Sequence, residues 1–71
     1  MDYKGRMKAE YKELKDRYDN LHKMLVKHDA GCLEFTLSCP VDLLKEQAAT
    51  MGKYLYILEM RAIIEGVDLS D

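Results

Sequence analysis

The stretch PVDLLKEQAATMGKYLYILEMRAIIE, residues 40–65, decides the fold. Pro40 suits a first helical turn, where a missing N–H costs nothing. Ser38 or Cys39 then stands as the cap, and Asp42 puts negative charge where the helix dipole favours it. Gly66 supplies the stop, with Val67 placed to pack back on Ala62. Between these signals one stripe reads Leu44, Ala48, Met51, Leu55, Leu58 and Ala62. A second reads Leu43, Gln47, Thr50, Tyr54, Ile57, Arg61 and Ile64, and a third side holds Ala49, Gly52, Tyr56, Met60 and Ile63. A helix that is apolar on several sides needs more neighbours than one short hairpin supplies.

Working outward, the segment 3–28 repeats apolar residues in steps of four and three: Met7, Tyr11, Leu14, Tyr18, Leu21, Leu25, then His28. That stripe predicts an amphipathic helix in coiled-coil-like packing. Glu13–Arg17 and Asp19–Lys23 stand in the favourable four-residue order, and Gly31 ends the run. Residues 29–39 form the connection. Within it Leu33, Phe35 and Leu37 alternate with polar residues, so they either tuck over their own helix ends or reach a neighbouring subunit. Residues 67–71 read as a frayed tail.

Two helices of equal length, each roughly 39 Å at 1.5 Å per residue, predict an antiparallel hairpin. The whole chain, 1–71, is then a single helical-hairpin domain. In that register Leu14 lies level with Ile57, Tyr18 with Tyr54 and Leu21 with Met51, with Tyr11 near Met60 and Arg61. A chain of 71 residues buries only about 60% of its unfolded surface, so it needs a disulfide, a metal or a partner. The two cysteines, Cys32 and Cys39, sit in the connection and read as thiols. His22, His28 and the cysteines make no paired metal-ligand spacing. Self-association is left: small residues at Ala48, Ala49 and Gly52 invite another helix, and the expected state is a homo-oligomeric all-α bundle built through the helix 40–65.

Charge and motifs narrow the function by exclusion. The net charge is −2, far from the basic footprint of a duplex-binding protein. No apolar run reaches membrane-spanning length. No apolar leader precedes the first helix, which places the protein in the cytoplasm. Glycines stand singly, so no phosphate loop exists, and no thiol or hydroxyl has an oriented base beside it. The expected protein is not an enzyme and uses no cofactor or metal.

Two features remain. Arg61 stands among Ile57, Leu58, Ala62 and Ile64, and a desolvated guanidinium wants a carboxylate or a phosphate. Its partner is either a carboxylate of another subunit or the anionic group of a ligand. Lys4, Lys8, Lys12 and Lys15 form a basic row beside tyrosines, which is either a solvated face or an anion-binding one.

The segments YKELKDRYDNL (11–21) and CPVDLLKEQAATMGKYLYILEMRA (39–62) resemble short phage and prophage proteins of two-helix hairpin form. The shared pattern is Tyr-x-Glu-Leu, Leu-Leu-x-x-Gln, Met-x-x-Tyr-Leu and Leu-Glu-x-Arg. Similar hairpins include phage sponges, which bind cyclic nucleotide signals of bacterial immunity, of the CBASS and Thoeris types, at subunit interfaces. The resemblance implies a non-catalytic anti-defence sponge in the cytoplasm of an infected bacterial cell. Chemistry then selects Tyr11, Lys15, Tyr54 and Arg61 as ligand positions, aromatics stacking on bases while cations meet phosphates. The alternatives are a protein–protein module that inhibits a host protein and a structural oligomerisation unit.

Overall fold

In a computed structural model describing residues 2–70, the chain is an antiparallel pair of helices, α1 (Tyr3–Asp29) and α2 (Val41–Glu65), packed into a rod 42 × 18 × 18 Å. Among the described residues no helix is long and apolar enough to cross a membrane. Both helices form where the sequence periodicity places them, and their ends show why. At the start of α1 the Asp2 carboxylate accepts the Gly5 N–H at 2.9 Å, satisfying one of the orphan donors of the first turn.

Each helix stops at a glycine of positive φ, 75° at Gly31 and 70° at Gly66. Cys32 N–H then reaches back to the Lys27 carbonyl at 2.8 Å, and Val67 N–H to Ala62 at 2.8 Å. Both are Schellman closures, which only a residue tolerant of the left-handed region makes cheaply. The start of α2 differs from expectation. Pro40 is the cap residue itself, with no side-chain cap, and its carbonyl accepts the N–H of Leu43 and Leu44. Ser38 and Cys39 therefore lie outside the helix. Asp42 is in the first turn, where the dipole argument put it.

The core is thin and lies along the seam. Met7, Leu58, Ala62 and Val67 form one buried cluster, with Tyr11, Leu14 and Leu69 packed against it. The stripe of α2 that faces α1 is the first one: Ala48, Leu55, Leu58 and Ala62 are buried, and Leu44 and Met51 half-buried. On α1 the seven-member stripe from Met7 to His28 is buried or half-buried throughout. Val67 and Leu69 correct the expectation of a tail fraying from residue 67, because folding back covers Met7 and Ala62 with apolar surface. Asp71 lies outside the described residues.

The register sits close to the expected one but is rotated. Tyr11 meets Glu59 and Tyr18 meets Gly52, whereas Tyr54 and Ile57 stay 40% and 39% exposed on the flank. Leu55 and Leu58 take their place, one position along the helix and about 100° around it. The small residues are also used differently. Ala48 is buried against the seam, and a methyl group at Gly52 would lie 3.3 Å from Tyr18 Cε1, so Gly52 admits the chain's own Tyr18 rather than another subunit. Tyr18 in turn stacks on His22 with ring centroids 5.8 Å apart. Gly52→Leu should therefore lower stability by about 1–3 kcal/mol through overpacking, measured by urea unfolding; an unchanged midpoint would mean that Tyr18 swings aside freely.

In the connection, Leu33 and Leu37 are half-buried and line a hollow of about 410 Å³ with His28 and Val41. They cover the hairpin end, while Phe35 remains 60% exposed. Lys45 pairs with Asp29 at 3.1 Å and ties the start of α2 to the end of α1. Both cysteines are free thiols.

Candidate functional site: an arginine–tyrosine groove on one flank

Once the seam is fixed, the polar residues of each helix fall on two flanks. One flank of α1 carries Arg6, Glu10, Glu13 and Arg17, in steps of four, three and four. Beside it α2 presents Tyr54 and Arg61, two turns apart. The two helices bound a groove of about 500 Å³ lined by Arg6, Glu10, Glu13, Leu14, Arg17 and Tyr54. A second hollow of about 400 Å³ is lined by Tyr3, Arg6, Met7, Glu10 and Arg61. Arg6 and Glu10 line both, so three guanidiniums and two tyrosine rings line two hollows that share these two residues.

The charges inside it are arranged in exchangeable pairs. Arg17 donates to Glu13 at 2.8 Å. Arg61 donates to Glu65 through Nε at 2.9 Å and Nη2 at 3.4 Å. The Tyr54 hydroxyl donates across the seam to Glu10. Arg6 makes no side-chain hydrogen bond or ion pair among the described residues. Exposed pairs four residues apart contribute only about 0.3–0.5 kcal/mol, so an incoming phosphate, a better partner for a planar guanidinium, displaces them at little cost. The rings of Tyr3 and Tyr54 are 48% and 40% exposed, open to stacking.

The four residues selected from sequence do not converge within one chain. Tyr54 and Arg61 belong to this groove. Tyr11 and Lys15 lie on the opposite flank, where the Tyr11 hydroxyl donates to Glu59 at 2.8 Å and Lys15 pairs with Asp19 at 3.1 Å. Lys15 is thus neutralised within its own helix. Arg61 is likewise paired within α2 rather than left seeking a carboxylate of another subunit, and Thr50 returns its hydroxyl proton to the Glu46 carbonyl at 3.0 Å. Arg6 and Arg17 are not among the ligand positions that the sequence selects, where Arg17 stands only as the helical partner of Glu13. The signal that finds them is their step of eleven residues, which places both on the face holding Glu10 and Glu13.

The two tyrosine–glutamate bonds leave a titration signature. The hydrogen bond to Glu59 raises the Tyr11 pKa above the ordinary phenol value, aided by desolvation; that to Glu10 does the same for Tyr54. A raised folded pKa means the bond's stabilisation is complete below the ordinary phenol range and is lost as pH climbs through the raised value. Ultraviolet titration should show a late-ionising component that Tyr11→Phe and Tyr54→Phe each reduce. A titration curve unchanged in both variants would count against these bonds.

The fold and the groove define the class: a short two-helix hairpin that displays arginine and tyrosine along one flank. The family model Sequestin matches residues 1–64, and the chain belongs to the Sequestin family. The family's name denotes sequestration, and membership supports a sequestering role. No curated protein and no solved structure matches the chain.

Proposed function

We propose that the protein is a phage-encoded anti-defence sponge that binds a cyclic nucleotide-type immune signal, of the CBASS or Thoeris type, and holds it without catalysis. It acts as a homo-oligomer built through the helix 40–65, in the cytoplasm of the infected bacterium. The observation that carries this reading is the groove that brings Arg6, Arg17, Arg61 and the exposed rings of Tyr3 and Tyr54 to one flank, in a chain whose family is named for sequestration. Guanidiniums meet phosphates bidentately and tyrosines offer stacking faces. The ligand is held by swapping Glu13 and Glu65 for phosphate oxygens.

Calorimetry against cyclic dinucleotides, cyclic trinucleotides and cyclic ADP-ribose isomers tests it. Binding of one such compound at micromolar concentration or tighter, with the compound recovered intact on denaturing the complex, is the expected result. Absence of binding across the series sinks the reading, and recovery of a cleaved product sinks the non-catalytic part.

A second reading, a module that inhibits a host protein, draws on the apolar outer face of α2, where Ile63 and Ile64 are 84% and 82% exposed. Capture of one host protein together with a blank ligand screen distinguishes it.

A further inference from the structure

The outer face of α2 carries a second seam, facing away from α1. Lys53, Ile57, Met60 and Ile64 follow steps of four, three and four, the spacing of a coiled-coil core, and all four are exposed. Tyr56 and Ile63 border this seam on one edge; Tyr54 and Arg61 border it on the other. The chain exposes 5391 Å², about 800 Å² more than the roughly 4,600 Å² expected of a folded monomer of its mass. That excess is about what one partner contributes to a standard interface.

We infer that a second copy covers this face in antiparallel fashion, and that the ligand edge is composite, Tyr54 of each copy lying beside Arg61 of the other; this rests on the nucleotide reading above. Antiparallel core layers pair the two kinds of seam position with each other, so Ile57 of one copy packs on Met60 of the other, twice, about the two-fold axis. Lys53 then lies along Ile64, its stem covering the isoleucine and its ammonium beside Glu65 of the second copy. Parallel packing would instead set Lys53 against Lys53 and align the helix dipoles. On one edge the same register sets Tyr56 against Ile63, apolar against apolar. On the other it sets Tyr54 against Arg61.

The composite edge changes what the site can hold. Within one chain Tyr54 and Arg61 stand two turns apart and already feel each other electrostatically, but a single chain offers only one such ring and one such guanidinium. Across the two-fold axis a ring and a guanidinium stand side by side, and the arrangement occurs twice on the same edge. Two guanidiniums and two aromatic rings then span about 10 Å. The chemical class that fits is a nucleotide with two phosphates and one or two bases, bound once per two chains.

Two experiments test this in a Cys32→Ser/Cys39→Ser background. Chains carrying Ile57→Cys are mixed with chains carrying Met60→Cys and oxidised; the mixed disulfide should dominate over either like-with-like product. Monomers by sedimentation, or predominantly like-with-like disulfides, overturn the antiparallel pairing while leaving nucleotide binding by a single chain intact. The second experiment mixes a Tyr54→Ala chain with an Arg61→Ala chain and titrates the tightest-binding cyclic nucleotide of the screen. Each variant alone should lose at least about tenfold in affinity, and the mixture should recover binding, because the heterodimer regains one Tyr54–Arg61 pair. No recovery overturns the composite edge. A dominant mixed disulfide with no nucleotide bound to the unmutated protein overturns the ligand half of the inference, and with it the sponge reading.

Discussion

Leu58→Ala is expected to remove about half of this protein's folding free energy. Among the described residues Leu58 is the one side chain with no exposed surface, and it sits in the cluster with Met7, Ala62 and Val67. Truncating a buried leucine costs about 2–5 kcal/mol, the upper part of the range applying where the cavity cannot collapse. A domain of this length has roughly 4–10 kcal/mol in total, and each kcal/mol moves Tm by about 4–8 °C. The expected fall in Tm is therefore at least about 10 °C, read by circular dichroism at low micromolar concentration. Ile63→Ala, at a position 84% exposed in the single chain, is the comparison. It should leave the unfolding of the dilute monomer within about 0.5 kcal/mol and instead weaken self-association. Equal losses from the two variants would mean that the seam around Leu58 is not what holds the hairpin together.

That contrast also marks what could be read from residue order. The inner stripe from Leu44 to Ala62 and the α1 stripe from Met7 to His28 were legible, because periodicity reports which residues share a face and nothing else is required. The glycine stops were legible for the same local reason. The rotation of one helix on the other was not. It depends on how Tyr18 settles against Gly52 and how Leu55 and Leu58 fill the seam, which are contacts between residues more than thirty apart. A rotation of one position moves Tyr54 and Ile57 from seam to flank. The site suffered in turn: Arg6 and Arg17 look like any charged residues of an amphipathic helix until the seam is fixed. Lys15 is held by Asp19, one turn on, a pairing that periodicity alone does not reveal.

The same geometry orders the cations by their effect on ligand binding. Arg61→Ala should weaken binding of the cyclic nucleotide identified in the screen by about 10–100-fold, since a hydrogen bond to a charged group contributes about 1.5–3 kcal/mol. Arg6→Ala should fall in the same range, because Arg6 lines both hollows and, among the described residues, has no carboxylate to release. Arg61→Lys keeps the charge but loses the planar fork, so it should recover only part of the affinity. Lys15→Ala should change affinity less than about threefold, since its ammonium lies on the far flank with Asp19 and an exposed pair of this kind contributes little. The fold should survive all four changes, because each residue is exposed; matching circular dichroism spectra check that before affinities are compared. Salt separates the roles further. Raising ionic strength screens exposed charges, so the unmutated protein should lose affinity with added salt more steeply than Arg6→Ala or Arg61→Ala, and as steeply as Lys15→Ala. The opposite ranking, with Lys15→Ala crippling and Arg61→Ala harmless, would move the site to the Tyr11–Glu59 flank and leave the arginine groove as a solvated surface.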